Sequence, residues 1–524
     1  MDVKAKKSIS LALSAVMLTV GALSISACFG DDEKTIDADV ALYSEGMEYV
    51  TTEKGTPSKY ASLTFDYLGG SDVMPIGGFY GPSSYSGGSV DGNELKDLLS
   101  EEVFSAISDA GVNMIVYNRD MWLTGGDNQI ANKVLDLCEA YGIGNFMQLQ
   151  YVEEQLGGKT SPYPVENMEL KTQAGVNKLQ SFLDELTQNG EREWVIGLHG
   201  RDDPFTHEVK TLSVFQDVFY NQLENNYGLT IFGNSLGYWT NEWNMFGYCE
   251  PITFKDYMNN YLQGANPSML SFTQYIYGGD KPQPEANVDR NLFDLLAVYR
   301  QYAIDEEKPF WRMLQAGGQH NDSASWIPST EPYPNEGETL FDVNMSLAYG
   351  AKAIQYFPLV QPMYYAYAPD YTYDFERCGL IGANGNLTRW YYYAKRANEQ
   401  IQAVDEYLMH AASEGIIVHG ETAYESIITK RRYADICNPY LVEGKFRQLI
   451  DIAGDDCVIG CFDYKGGTAL YVVNYSRKEK ADVTLKFNDK YRYNVIQRAV
   501  SCDVVGTAIP LTLDAGEGAL IVLK

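Results

Sequence analysis

Two carboxylates stand side by side at Asp202 and Asp203, preceded by Arg201 and closed off by Pro204. Repulsion between neighbouring acids favours keeping a proton on one of them, while a paired arginine favours the charged form of the other. Hydrolysis of a glycosidic bond needs that division of labour. One acid protonates the leaving oxygen, and a second carboxylate attacks carbon or activates water. A separation of about 5 Å gives retention of configuration, and about 6.5–9.5 Å gives inversion. Asp203 is the candidate acid here, with Asp202 or Glu242 as the second carboxylate and Glu153 and Glu154 as further acids. The bland alternatives are a helix N-cap for Asp202 or Asp203, since Asp beside Pro starts helices well, and a solvated loop acid for Glu242.

The elements around these residues make the pair meaningful. Trp194 to Leu198 is an apolar run with helix-like sequence on both sides, turning polar within a few residues, as a buried parallel strand does where its end opens into a site. Seven further runs alternate with helix-like segments: Val73–Tyr80, Val112–Tyr117, Gly144–Tyr151, Leu229–Gly233, Ser268–Tyr277, Pro309–Gln315 and Ala351–Pro358. Eight strands in strict alternation predict a (β/α)8 TIM barrel, with Trp194–Leu198 as the fourth strand. A doubly wound open sheet is the rival, but no Gly-rich phosphate loop opens any of the helices. The spacing predicts one helix over about Thr206–Asn226 and another over Leu387–Met409. From about Gly415 short alternating runs predict a small all-β sandwich. The expected division is 1–28 signal, 29–60 tether and lead-in, 61–412 barrel, 413–524 sandwich.

Strand ends of a barrel share one face, so Tyr117, Gln150, His199, Tyr275, Tyr277 and Gln315 are expected to line a pocket with Arg201. Trp239, Trp326 and His320, on loops of that face, join them. Aromatic rings with polar rims suit the faces of sugar rings; their alternative is core packing, which fits Tyr391 to Tyr393 on their helix. His199, His207 and His320 lack the spacing of a metal site, and no HExxH occurs, so no metal is expected. No other cofactor is expected either. No Gly-x-Ser-x-Gly elbow is present, which removes the usual signal of a serine hydrolase.

These residues carry a resemblance. The chain resembles the large bacterial group of (β/α)8 glycoside hydrolases related to the β-galactosidase-type clan. Members often end strand four in Asp-Glu-Pro, here Asp202-Asp203-Pro204, and end the barrel in AYGAKGIxYF, here Ala348 to Phe357. A GLID-x-G-x-x-T segment corresponds to Gly379–Thr388, a following helix carries Asn398, and a Gly-Glu-Gly turn sits at Gly516–Gly518. The resemblance covers about residues 70 to 524 and implies a carbohydrate substrate. Two departures bear on catalysis. Asp203 stands where the group has Glu, and the seventh strand, where the clan places its nucleophile Glu, ends in Gln315. Gln cannot attack an anomeric carbon, though it can hold a hydroxyl. A glycosidase with an altered carboxylate pair, and a catalytically silent glycan-binding protein on the same fold, are both consistent with that pattern.

The N-terminus adds location. Lys4, Lys6 and Lys7 precede a mostly apolar stretch, and Ile25-Ser-Ala-Cys28 resembles a bacterial lipobox in which Cys28 receives the lipid. A membrane-anchored lipoprotein at the cell surface is expected, held by an acidic tether after Cys28. The chain has 70 acidic and 40 basic residues, a net charge of −30, with no basic patch, which argues against nucleic acid and against direct binding to anionic lipid. Seven cysteines remain once Cys28 is set aside, and no CxxC pair occurs. A disulfide among Cys457, Cys461 and Cys502 is one option and buried thiols the other.

Overall fold

The computed structural model describes residues 65, 68, 71–83, 89–90, 93–94, 96–116, 129–157, 164–235, 237, 253–277, 285–317, 334–366 and 374–524, apart from 435. Eight parallel strands close a barrel: β1 (Ile76–Phe79), β2 (Met114–Val116), β3 (Gly144–Met147), β4 (Val195–Asp202), β5 (Thr230–Ser235), β6 (Leu270–Thr273), β7 (Phe310–Gln315) and β8 (Ala353–Phe357). Each pairs with its neighbours in chain order, and Ile76 beside Ile354 and Gly77 beside Met114 complete the ring. Because β strands alternate their side chains, Phe79, Met114, Val116, Phe146, Ile196, Phe232, Trp311 and Met313 form an inner core. Outward residues pack beneath the helices in a larger, separate cluster.

Helices behind the strands carry the caps their sequences specify. Thr172 accepts from Gly175 N before Gln173–Leu186, and Asn335 with Glu338 forms a capping box before α1 (Glu336–Ala348). Several strands are shorter than expected, and three segments change or break their element. Gly144–Tyr151 is a strand only to Met147, and Gln150–Leu156 is a short helix, α2. The segment after β4 is broken into a 3₁₀ turn at Thr206–Glu208, a helix at Val209–Asp217 and a wide turn at Val218–Gln222. The long helix beyond the barrel stops at Gln402 and restarts as Asp405–Leu408. Among the described residues no helix is long and apolar enough to cross a membrane.

The C-terminal strands are β9 (Ala411–His419), β10 (Leu449–Gly454), β11 (Cys457–Tyr464), β12 (Gly467–Asn474), β13 (Ala481–Gln497), β14 (Val500–Leu513) and β15 (Gly518–Leu523). They make one antiparallel sheet in the order β9-β11-β12-β15-β13-β10, with β14 on β13. The sandwich arises because this sheet bends. The first half of β13 pairs with β10, the second half with β15, and the register shifts between Lys486 and Tyr491. Ile417, Leu449, Cys457, Ile459, Cys461, Val483, Phe487 and Ile521 fill the fold between the layers. The other face, with Val458, Phe462, Tyr471 and Val473, joins the barrel's outer cluster. At Gly460 a Cβ would stand 2.2 Å from Ala348 O, so only glycine lets β11 lie against the end of α1. The cysteines at 457, 461 and 502 are free, the first two buried and the third exposed.

Candidate active site

The acid pair sits where β4 leaves the barrel. Asp202 is the last residue of the strand, and Asp203 turns the chain with φ 47°. A non-glycine residue rarely adopts that left-handed backbone, and a residue before proline is normally extended. Neighbouring bonds fix the turn. Asp203 N donates to Asn234 O at 2.8 Å, and Phe205 N donates to Glu208 Oε2 at 2.7 Å. Neither acid caps a helix. The following 3₁₀ turn takes its cap at Phe205, with Glu208 reaching back to it, so the N-cap alternative is not what this structure uses.

Asn234 on β5 gathers the two carboxylates. Its Nδ2 donates to Asp202 Oδ1 at 3.0 Å and to Asp203 Oδ1 at 3.3 Å. Oxygens bonded to one nitrogen lie within about 6 Å of each other. The same nitrogen contacts Thr273 Oγ1 at 2.6 Å. Beside the acids stands a wall of rings: Tyr80 and Phe357 with centroids 5.4 Å apart, and Phe357 and Tyr275 at 5.3 Å. Burial holds the Tyr275 hydroxyl well above its usual range, and the charges of Asp202 and Asp203 push the same way, which brings ring and acids into one electrostatic neighbourhood. Tyr80, like Asp203, has a left-handed backbone, φ 62°.

Arg201 serves a different pair of acids from the one expected. Its Nε donates to Glu208 Oε1 at 2.8 Å, its Nη1 to Glu153 Oε2 at 3.1 Å, and its Nη2 to Gly157 O at 2.7 Å and again to Glu208. A guanidinium so enclosed ties β4 to α2 and to the turn after Asp203. Its charge is spent mainly on Glu208 and Glu153, with Asp202 a minor influence. Glu153 also faces His199, Nδ1 to Oε1 at 3.4 Å. Burial raises the Glu153 carboxyl, but the hydrogen bond and charge of His199, then the charge of Arg201, outweigh it and hold the group below the usual carboxylate range.

The other expected liners divide. Tyr275 lies at the acids, partly exposed. His199 is buried with its ring stacked on Phe232 at 6.0 Å, under the site rather than in its opening. Gln150 opens α2 and donates to Glu154 at 2.8 Å. Tyr277 is buried and donates to Glu338 O at 3.0 Å. Gln315 donates to Tyr277 O and, at 2.7 Å, to Gly317 O, and accepts from Tyr277 N at 3.0 Å. Both its N–H groups thus go to backbone carbonyls, so it clamps β7 to the segment after β6, and no N–H is left for a sugar hydroxyl. Tyr117, Trp239, Glu242, His320, Trp326 and Cys28 lie outside the described residues. Among the described residues no cluster of three or more His, Cys, Asp or Glu is placed to hold a metal ion.

Sequence reasoning missed Asn234, Thr273 and Tyr80. A signal existed for Thr273, a polar residue inside the expected run Ser268–Tyr277, whereas Asn234 follows the run Leu229–Gly233 and lies on the strand only because that strand extends to Ser235.

Known structures repeat this architecture. A family 42 β-galactosidase from G. stearothermophilus superposes with a TM-score of 0.50 at 9% identity, over 89% of this chain and 100% of that one. The chain has a distant glycoside hydrolase-like barrel fold. A family 39 glycoside hydrolase from Bacteroides cellulosilyticus WH2 matches at 12% identity and TM-score 0.44, over 87% of this chain and 82% of that one. An arabinofuranosidase of family 51 from Xanthomonas axonopodis pv. citri matches at 10% and 0.44, over 87% and 96%. At such identities the likeness is one of fold. No protein-family model matches the sequence, and no curated protein matches it.

Proposed function

We propose that the protein is an extracytoplasmic, lipid-anchored glycoside hydrolase acting on oligo- or polysaccharide by general-acid-assisted hydrolysis. Asp203 delivers the proton to the leaving oxygen. Asp202, bonded to the same Asn234 amide, is the second carboxylate; Glu242, which follows β5 in the sequence, is the other source of that charge. The ring wall of Tyr80, Phe357 and Tyr275 offers an apolar face for a pyranose. The observation that carries the reading is the pair of acids on one buried amide at the barrel mouth, with Asp203 held in a backbone conformation that folding alone disfavours.

The test is a panel of aryl glycosides against the wild type and Asp203→Asn. Turnover should fall about 10²–10⁴-fold in the variant. Unchanged turnover excludes Asp203 as the acid. One observation favours a second reading, a silent glycan receptor: Gln315 stands at the end of β7 with its amide committed to backbone. Calorimetric binding of glycans with no turnover across the panel selects that reading. Anchoring through Cys28 is tested separately. Cys28→Ser should lose incorporation of labelled fatty acid and move the protein out of the membrane fraction.

A further inference from the structure

Amid the apolar inner core of the barrel runs a line of polar side chains, where branched apolar ones are the rule. Gln355 on β8, Ser271 on β6 and Asn234 on β5 are each fully buried. They form one line of hydrogen bonds. Gln355 Nε2 donates to Ser271 Oγ at 3.3 Å, Ser271 Oγ donates to Asn234 Oδ1 at 2.8 Å, and Asn234 Nδ2 donates to Asp202 and Asp203. The directions follow from the groups. An amide oxygen only accepts, so the hydroxyl proton of Ser271 goes to Asn234, and the lone pair left on Ser271 receives the N–H of Gln355.

Asn234 is also overcommitted. Two N–H protons face three acceptors, Asp202, Asp203 and Thr273, so at least one N–H is shared. Without the line from below, the Asn234 side chain would be held only by the groups it serves, and any change of charge on the acids would move it. With it, the amide is anchored to β6 and β8, on the far side from β4. Burying such polar groups is unfavourable unless every bond is made, so a line of this kind inside a barrel has a stability cost to offset.

We infer that Gln355 and Ser271 are positioning residues: acting through Asn234, they hold the carboxylates of Asp202 and Asp203 in place while a proton leaves one of them. The inference rests on the hydrolase reading of those two acids.

Ser271→Ala is the direct test, with an aryl glycoside as substrate. kcat should fall about tenfold to a hundredfold while KM stays within about twofold, and Ser271→Thr, which keeps the hydroxyl, should recover most of it. Ser235→Ala is the control, because the Ser235 hydroxyl bonds Tyr299 and the Ser271 carbonyl and does not reach the acids. An effect of Ser271→Ala no larger than that of Ser235→Ala overturns the inference. Should Ser271→Ala fail to fold, Gln355→Leu is measured in its place. Absence of turnover by the wild type defeats the hydrolase reading instead, and the line is then read by thermal unfolding. Gln355→Leu and Asp203→Asn should shift Tm non-additively, since they lie in one network. Additive shifts overturn the inference on that arm.

Discussion

At the scale of single residues, Asp203 is where the chain accepts a conformational penalty. A left-handed backbone on a residue that precedes proline costs about 1 kcal/mol even for Asp, which tolerates it better than most. Glycine adopts that backbone freely. Asp203→Gly should therefore raise Tm by a degree or two, helped by removing one of two neighbouring negative charges, while abolishing turnover. Differential scanning calorimetry beside the aryl-glycoside assay reads both effects, and a lower Tm would show that the side chain's bond to Asn234 outweighs the backbone term. Glu153 gives a prediction in pH. Its carboxyl is held below the ordinary range in the folded protein, so its contribution is fully present above the unfolded carboxylate pKa and disappears as pH falls through the folded value. Glu153→Gln should flatten the acid side of a plot of urea midpoint against pH. An acid limb identical to that of wild type would mean that other carboxylates set it.

Elements explain why those residues meet. β4 supplies Arg201, Asp202 and Asp203 in succession, and strand alternation alone would send neighbours to opposite faces. A register irregularity between His199 and Arg201 against β5 changes which residues of the strand end face inward, and the left-handed turn at Asp203 then lets its side chain reach the same amide as Asp202. Arg201 then secures the turn from outside through Glu208 and α2. This is also where legibility in the sequence ended. Apolar runs between amphipathic segments disclosed all eight barrel strands in order, because burial on both sides leaves few polar residues to confuse the pattern. The same runs hid Asn234, since β5 extends past Gly233, and a polar residue following an apolar run looks like the start of a loop. Gln315 was visible as a missing carboxylate, but its bonds to Tyr277 and Gly317 depend on how β6 and β7 are juxtaposed. The start of the helix after β4 was misplaced for a related reason: Glu208 there pairs with Arg201 on the strand end, a contact that helical periodicity does not encode.

For the molecule as a whole, the barrel and the bent sheet share a hydrophobic cluster, with β11 pressed onto α1 at Gly460. β15 sits between β12 and β13, and Leu520 and Val522 point toward the barrel while Ala519 and Ile521 point into the sandwich. Deleting residues 518–524 should leave two strands unpaired in mid-sheet and uncover the apolar side of α1, so soluble yield should collapse; a soluble, monodisperse truncate by size-exclusion chromatography would refute this. The position of β15 also sets a schedule. β15 follows both strands it joins, so the link between β12 and the second half of β13 forms only after residues 518–523 have been made. Until it is made, β12 and the second half of β13 each present one open edge, and β15 is the latch that joins them.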